Sequence, residues 1–303
     1  MNLIALLIGI VIERLATQLF HWRRLRWLES LIDRGFEKAR QSPQIPAILI
    51  VMLMVVVLAL PVFLVTFFLG DALFGFAYLA LAIVVLFFSL GPKDIGEEVN
   101  DYCIALEDKD EERIHQKATA LVEGDVPADM LERIHCVEAA VTVQANNRLF
   151  AVIFWFMVLG PLAAWVYRVT DLIRRRAVFS ASRSTDAEDQ TDRFRDAAVT
   201  LHGWLAWIPA RLTAMGYAIA GHFDAALQAW REGPSRTPLS LSDGSEELLA
   251  RVGVGALALH DLPGEDVTER GVRGATAANK LVFRLLTIWA VVIAALTLYG
   301  WSM

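Results

Sequence analysis

Four runs of the chain carry no charge and are long enough to cross a bilayer: 47–69, 72–90, 149–167 and 285–303. A hydrocarbon layer about 30 Å thick needs roughly 20 apolar residues in helical form. With no water to satisfy backbone groups there, a spanning chain must be a helix or a closed barrel. No segment alternates for long as a barrel strand would, so helices are expected. Composition agrees: 56% of the 303 residues are hydrophobic and 20% are charged, against about 45–50% and about 25% in soluble domains. The expected fold class is all-α, a polytopic integral membrane helical bundle with helical extramembrane loops.

Charge divides the chain. The net charge is −6, yet 21–46 holds six basic residues against three acids and 92–148 holds fourteen acids against six bases. The basic stretch places Leu25, Leu28, Ile32 and Phe36 at helical spacing, which predicts an amphipathic helix on a membrane surface. In the acidic stretch Met130, Ile134, Val137 and Val141 also repeat helically, with Pro127 expected in the first turn. Gly70 and Asp71 suit the turn of a helical hairpin.

The expected organisation follows. Residues 1–46 form a membrane-inserted N-terminal helix plus the basic helix, 47–91 a transmembrane hairpin, and 92–148 an acidic helical loop domain. A transmembrane span follows at 149–168. Then comes a polar region, 169–284, with a membrane-associated segment at 203–221, and a closing span at 285–303. Linkers are expected at 180–190 and 233–245, rich in Ser, Thr, Asp and Gly. Residues 1–20 lack the charged start and small-residue cleavage site of a secretory leader, and are expected to be retained.

Basic residues in 21–46 predict a cytoplasmic face for that segment and for 92–148, with Cys103 and Cys136 reduced. A single span at 149–167 would then leave Arg174, Arg175 and Arg176 on the opposite face, against the positive-inside tendency.

No P-loop, dinucleotide fingerprint, zinc-protease, nucleophile-elbow or kinase pattern occurs. His21, His115, His135, His202, His222 and His260 are scattered, and neither a metal nor any other cofactor is expected. Nucleic acid is excluded as a partner by the lack of a basic, aromatic-rich footprint. A transporter reading would rest on intramembrane polar groups alone, without a visible inverted repeat.

The informative residues are polar islands beside membrane segments, because ionisable groups in hydrocarbon face a bundle interior. Glu13 and Arg14 interrupt the first apolar run and His21 closes it. Gln144, Asn146, Asn147 and Arg148 precede the third run, and His202, Pro209 and Arg211 mark the third polar site. These ten residues are expected to form a ligand-binding or structural polar cavity, with Glu13 paired to Arg211. The alternatives are an arginine snorkelling to headgroups at 148 and an in-plane helix at 203–221.

The stretches "LLIGIVIERLATQLFHWRRLRWLESLI" (6–32), "NNRLFAVIFWFMVLGPLAAWVYR" (146–168), "HGWLAWIPARLTAMGYAIAGHFDAALQAW" (202–230) and "ARVGVGALAL" (250–259) resemble the AmpE family. These are inner-membrane proteins encoded beside the amidase AmpD and linked, as signalling modulators, to induction of chromosomal β-lactamase. The resemblance implies a bacterial inner-membrane, multi-pass regulator that meets the lipid bilayer and a peptidoglycan-derived small molecule or a protein partner. The family is in turn similar to CobD/CbiB, membrane synthases that attach the aminopropanol linker in cobalamin assembly. There the acidic "ESxAEN…D" and "DDxxNxIPAR" patterns fall, in this chain, on Gln144 and Asn147 and on His202, Gly203 and Ala206; only "IPAR" (208–211) survives. Glu138 is the nearest upstream acid. Loss of those carboxylates implies a binding protein rather than a synthase, with CobD-type ligation of another substrate as the alternative.

Overall fold

The computed structural model describes residues 26–40, 44–69, 76–90, 94–181, 188–233, 240–260 and 262–299. Among them there is helix and no strand. In chain order the helices are α1 (Arg26–Arg40), α2 (Ala47–Leu69), α3 (Phe76–Ser89), α4 (Ile95–Glu107), α5 (Glu111–Val122) and α6 (Met130–Ala145). A π-turn (Asn146–Phe150) leads to α7 (Ala151–Leu159), α8 (Pro161–Ala181), α9 (Glu188–Ala220), α10 (Phe223–Arg231), α11 (Leu241–Leu257) and α12 (Val267–Leu298). The chain is an all-α membrane protein. Glu13, Arg14, His21, Leu25, Gly70 and Asp71 lie outside the described residues.

Three described stretches are long and apolar enough to cross a membrane: Ala47–Phe68, Met130–Leu159 and Val267–Leu298. They differ in surroundings. Only 17% of the first is buried, and Leu53, Val57, Phe67 and Phe68 stand exposed as lipid-facing side chains do. The second is 72% buried. Its helix α6, the π-turn and α7 form a central pillar packed by α11, α12, α5, α8 and α9.

The run 149–167 is not one straight span. Gly160 adopts φ 81 and ψ −168, a backbone region open in practice only to glycine. Pro161 then starts a new helix at the position where its missing N–H costs nothing. Helices α7 and α8 pack against each other across this reversal. The chain therefore turns back, and Arg174, Arg175 and Arg176 return to the end of the bundle that holds Arg148. Arg175 meets Glu123 and Gln144 there, and Arg176 meets Asp33 of α1. The charge conflict that a single span would create disappears.

The other boundaries reflect capping. Asp129 caps α6 by accepting from Glu132 N, so Pro127 precedes the helix and not its first turn. Ser240 caps α11 and places 241–245 in helix rather than linker; Glu188 onward is likewise helical in α9. The closing apolar run is the second half of α12, whose start carries a full capping box between Asp266 and Glu269. On α1, Leu28, Ile32 and Phe36 face inward against α2, α8 and α9.

Segment 203–221 is the interior and end of the long helix α9. Pro209 removes the N–H that would bond the Leu205 carbonyl four residues back. That carbonyl instead accepts from Trp155 Nε1 at 3.0 Å. A proline in an apolar helix is thus satisfied by a tryptophan from α7.

Close approach of α9 and α11 fixes Gly203. A Cβ built there would lie 2.7 Å from the backbone nitrogen of Ser242, and backbone cannot swing aside. Gly203→Ala is expected to destabilise the protein by about 1–3 kcal/mol, measured by thermal unfolding in detergent. Gly124→Ala, where nothing lies within 4 Å of the added atom, should leave the midpoint unchanged.

Candidate functional site: a buried arginine–carboxylate network

Helix α8 places Arg168, Asp171, Arg174 and Arg175 at i, i+3, i+6 and i+7, on one face that turns inward. Asp171 is fully buried. Its Oδ2 accepts from Arg168 Nη1 at 3.0 Å and its Oδ1 from Arg174 Nη2 at 3.0 Å. Arg175 Nε lies 2.8 Å from Oδ2. Arg174 Nη1 also stands 3.3 Å from Glu246 of α11.

Arg148, on the π-turn, is the second centre. It is 5% exposed and does not reach for headgroups. Its Nη1 donates to Glu98 of α4 at 2.7 Å and its Nη2 to Glu123 at 2.7 Å. Glu123 Oε1 also accepts from Arg175 Nη1. Gln144 Oε1 accepts from Arg148 Nε at 3.1 Å and Arg175 Nη2 at 3.2 Å, which locks the two guanidinium groups in register. The two centres are thus one network joined through Arg175.

His202 of α9 closes the other side. Its Nε2 is 3.3 Å from Tyr167 Oη and 3.8 Å from Asp171 Oδ1, and its Nδ1 is 3.2 Å from Ser242 Oγ. Residues 144 and 202, far apart in sequence, are linked here through Arg175 and Asp171. Asn146 and Asn147, also buried, lie on the same turn as Arg148. Asn146 Nδ2 donates to Asn147 Oδ1 at 3.1 Å, and Thr213 Oγ1 donates to Asn146 Oδ1 at 2.9 Å. All five residues of the π-turn are buried, and such turns recur at functional positions.

Arg211 is not part of this network. It is partly exposed, its guanidinium carbon lies 3.9 Å from the Trp207 ring centroid, and its Nη1 donates to the Trp207 carbonyl at 2.9 Å. Its expected partner Glu13 lies outside the described residues. Glu138 is also separate: it pairs with Arg270 of α12 and with His135 at 3.3 Å.

Charge sets the protonation states. Burial alone would raise the Asp171 carboxyl, but Arg175, Arg174 and Arg168 outweigh it and hold it well below the usual range. Burial likewise opposes ionisation of Glu123, and Arg175 and Arg148 overcome it. For His202 burial and the adjacent Arg174 act together and push it down to about 3, against the pull of Asp171. The imidazole is neutral at physiological pH.

Of the residues singled out in the sequence, Gln144, Arg148 and His202 fall in this network and Asn146 and Asn147 lie beside it; Glu98, Glu123, Arg168, Asp171, Arg174, Arg175 and Glu246 were not singled out as site residues. Among the described residues no three His, Cys, Asp or Glu side chains gather as metal ligands do. The carboxylates of the network are each within 4 Å of an arginine, so a divalent cation would meet guanidinium charge at every approach. The donor set does not fit a magnesium ion. Cys103 is buried and Cys136 half-buried, and both are free thiols.

An all-helical membrane protein with a largely buried arginine–carboxylate network is the class these observations define. The family described as "Regulatory signalling modulator protein AmpE" matches residues 1–303, and the chain belongs to that family. It is also similar to two proteins named "Cobalamin biosynthesis protein CobD". The one from Stutzerimonas stutzeri is 29% identical over 188 residues, 61% of this chain and 57% of that protein. The one from Chromobacterium violaceum is 25% identical over 178 residues, 58% and 54% of the two chains. The chain thus spans little more than half the length of these curated relatives. No solved structure matches.

The sign of the pH effect follows from His202. Its folded value lies below the unfolded one, so the unfolded state binds the extra proton between about 6.5 and about 3. The stability it contributes is complete above about 6.5 and is lost as pH falls through that window. Asp171 and Glu123, also depressed, act in the same direction but at the lower pH of carboxylates. His202→Gln is therefore expected to flatten the fall in thermal midpoint between pH 7.5 and pH 5. An unchanged slope would show that His202 is charged in the folded protein.

Proposed function

We propose that the protein is a regulatory modulator of the bacterial inner membrane, crossing it several times, that binds a ligand or partner and couples it to β-lactamase induction without catalysing a reaction. The observation that carries this reading is the neutralisation of the buried carboxylates. Phosphate-handling transfer enzymes bring anions together, which requires cations held by free acids. Here the carboxylates Glu98, Glu123 and Asp171 are bound to arginines. A network of this kind suits a two-state element, because breaking one buried pair leaves another charge unmatched. A peptidoglycan-derived small molecule or a protein would be the signal. The second reading, a CobD-like synthase or ligase acting on another substrate, draws on the 29% identity to a CobD protein.

The proposed topology puts α1, α4, α5 and the Arg174–Arg176 end on the cytoplasmic side. Cys136 is the better reporter, since Cys103 is buried. It is expected to resist an impermeant thiol reagent in intact cells and to react in inverted vesicles; labelling in intact cells would reverse the assignment.

Arg174→Lys keeps the charge but loses the planar fork that bridges Asp171 and Glu246. It is expected to change β-lactamase inducibility at least several-fold at equal membrane abundance. The wild-type protein is expected to show no magnesium-dependent nucleotide turnover. Turnover that disappears in Arg174→Lys, with induction unaffected, would favour the synthase.

A further inference from the structure

We propose that the Arg148–Arg175 pair is a binding site for a carboxylate ligand, and that Glu123 is the tethered carboxylate which such a ligand displaces. This deepens the binding-protein reading above and rests on it.

The site is built before Glu123 arrives. Gln144 Oε1 accepts from both guanidinium groups, and Glu98 anchors the far side of Arg148 while Asp171 anchors Arg175. With those contacts in place both arginines keep their orientation. Each then presents a remaining N–H to a single point, which Glu123 Oε1 occupies. Planar guanidinium donors converging in this way select carboxylates. A buried donor is also left over: Asn147 Nδ2, on the same turn as Arg148, has no hydrogen-bond partner. Asn147 is 1% exposed, and an unmatched donor at that depth is costly.

Glu123 is an awkward permanent occupant. It is the C-cap of α5 and sits in the left-handed region at φ 58, ψ 29, where a side chain other than glycine's is disfavoured. The loop to α6 starts at the next residue, and no atom lies within 4 Å of a Cβ at Gly124. In this proposal Glu123 withdraws by a movement of that loop which leaves the helices in place. Its side chain is 23% exposed and that of Arg175 20%, so this is a side of the network that solvent reaches.

Charge specifies the ligand. Arg148, Arg168, Arg174 and Arg175 give four positive charges, and Glu98, Glu123, Asp171 and Glu246 give four negative ones. Withdrawing Glu123 leaves four against three. A single negative charge restores neutrality, which a monocarboxylate supplies and a phosphate dianion exceeds.

The test uses the full chain in detergent, with acetate as probe against chloride at equal ionic strength and phosphate as a second arm. A tethered carboxylate competes at an effective concentration in the millimolar range. Glu123→Gln is therefore expected to bind acetate about tenfold more tightly than wild type, read as a shift in thermal midpoint. Adding Arg175→Gln should abolish the response. Should Glu123→Gln fold poorly, the wild type itself is decisive: acetate should speed amide hydrogen exchange at 123–129 and not in α5. Equal acetate responses in wild type and Glu123→Gln would overturn the proposal. So would a response that survives Arg175→Gln, a response to phosphate without acetate, or unaltered exchange at 123–129. These readouts are of the purified protein, so their failure leaves the induction result for Arg174→Lys standing, and the reverse also holds.

Discussion

A carboxylate with no exposed surface, Asp171, sits on the inward face of α8, and an isolated charge there would cost several kcal/mol even after relaxation. It is tolerable because three guanidinium groups, from Arg168, Arg174 and Arg175, approach it within hydrogen-bond or ion-pair distance. Those arginines in turn need Glu123, Gln144 and Glu246, which belong to three other parts of the chain. The requirement propagates outward until the loop after α5, the start of α11 and the end of α6 are all held to α8. Well-packed apolar residues could stabilise such a core as well or better. What the network adds is a set of mutual constraints: the observed return path of α8 brings Arg174 to Glu246 and Arg175 to Glu123 and Gln144 at once.

That return path depends on two residues, Gly160 and Pro161, in the middle of an apolar run. Hydropathy sums over such a run and reads 149–167 as a span, because neither residue is polar. The information was nevertheless in the sequence. A straight span puts three consecutive arginines on the wrong face, and a reversal at a Gly-Pro step removes the contradiction. By contrast 47–69 was legible despite Pro61 in its interior, since its uninterrupted apolar length favours a helix in lipid strongly enough to carry one proline. The apolar face of α1 was legible for a similar reason, its apolar residues having a single periodicity to obey, although that face packs on α2, α8 and α9 where the sequence suggested a membrane surface.

The site was legible only in part. Gln144, Arg148 and His202 stood out because they abut apolar runs, where polar residues need a reason. Asp171, Arg174 and Arg175 lie within "RVTDLIRRRAV", a charged stretch that reads as a solvated face. Their spacing carried the missed signal: 168, 171 and 175 share one helix face with no apolar residue between them, opposite Val169 and Ile173, which pack elsewhere. A helix buried on two sides must neutralise the polar one. Arg211 misled for the opposite reason. Its apolar surroundings suggested a buried partner, but Trp207 and a backbone carbonyl serve a partly exposed guanidinium adequately.

The pillar formed by α6, the π-turn and α7 explains why these demands meet at one place. Five consecutive residues of a helix point in all directions, so the burial of every residue from Asn146 to Phe150 means protein surrounds that turn. A polar side chain there cannot snorkel to headgroups, however long it is. Asn146 is met by Thr213 from α9, and Arg148 draws Glu98 and Glu123 inward from helices that composition alone would leave in solvent. The acidic region is therefore held against the central pillar by Arg148, whose charge Glu98 and Glu123 match. Any signal that alters the hold of Arg148 on Glu123 would be felt on both sides of that boundary, in the loop after α5 and, through Arg175, at Asp171 and His202.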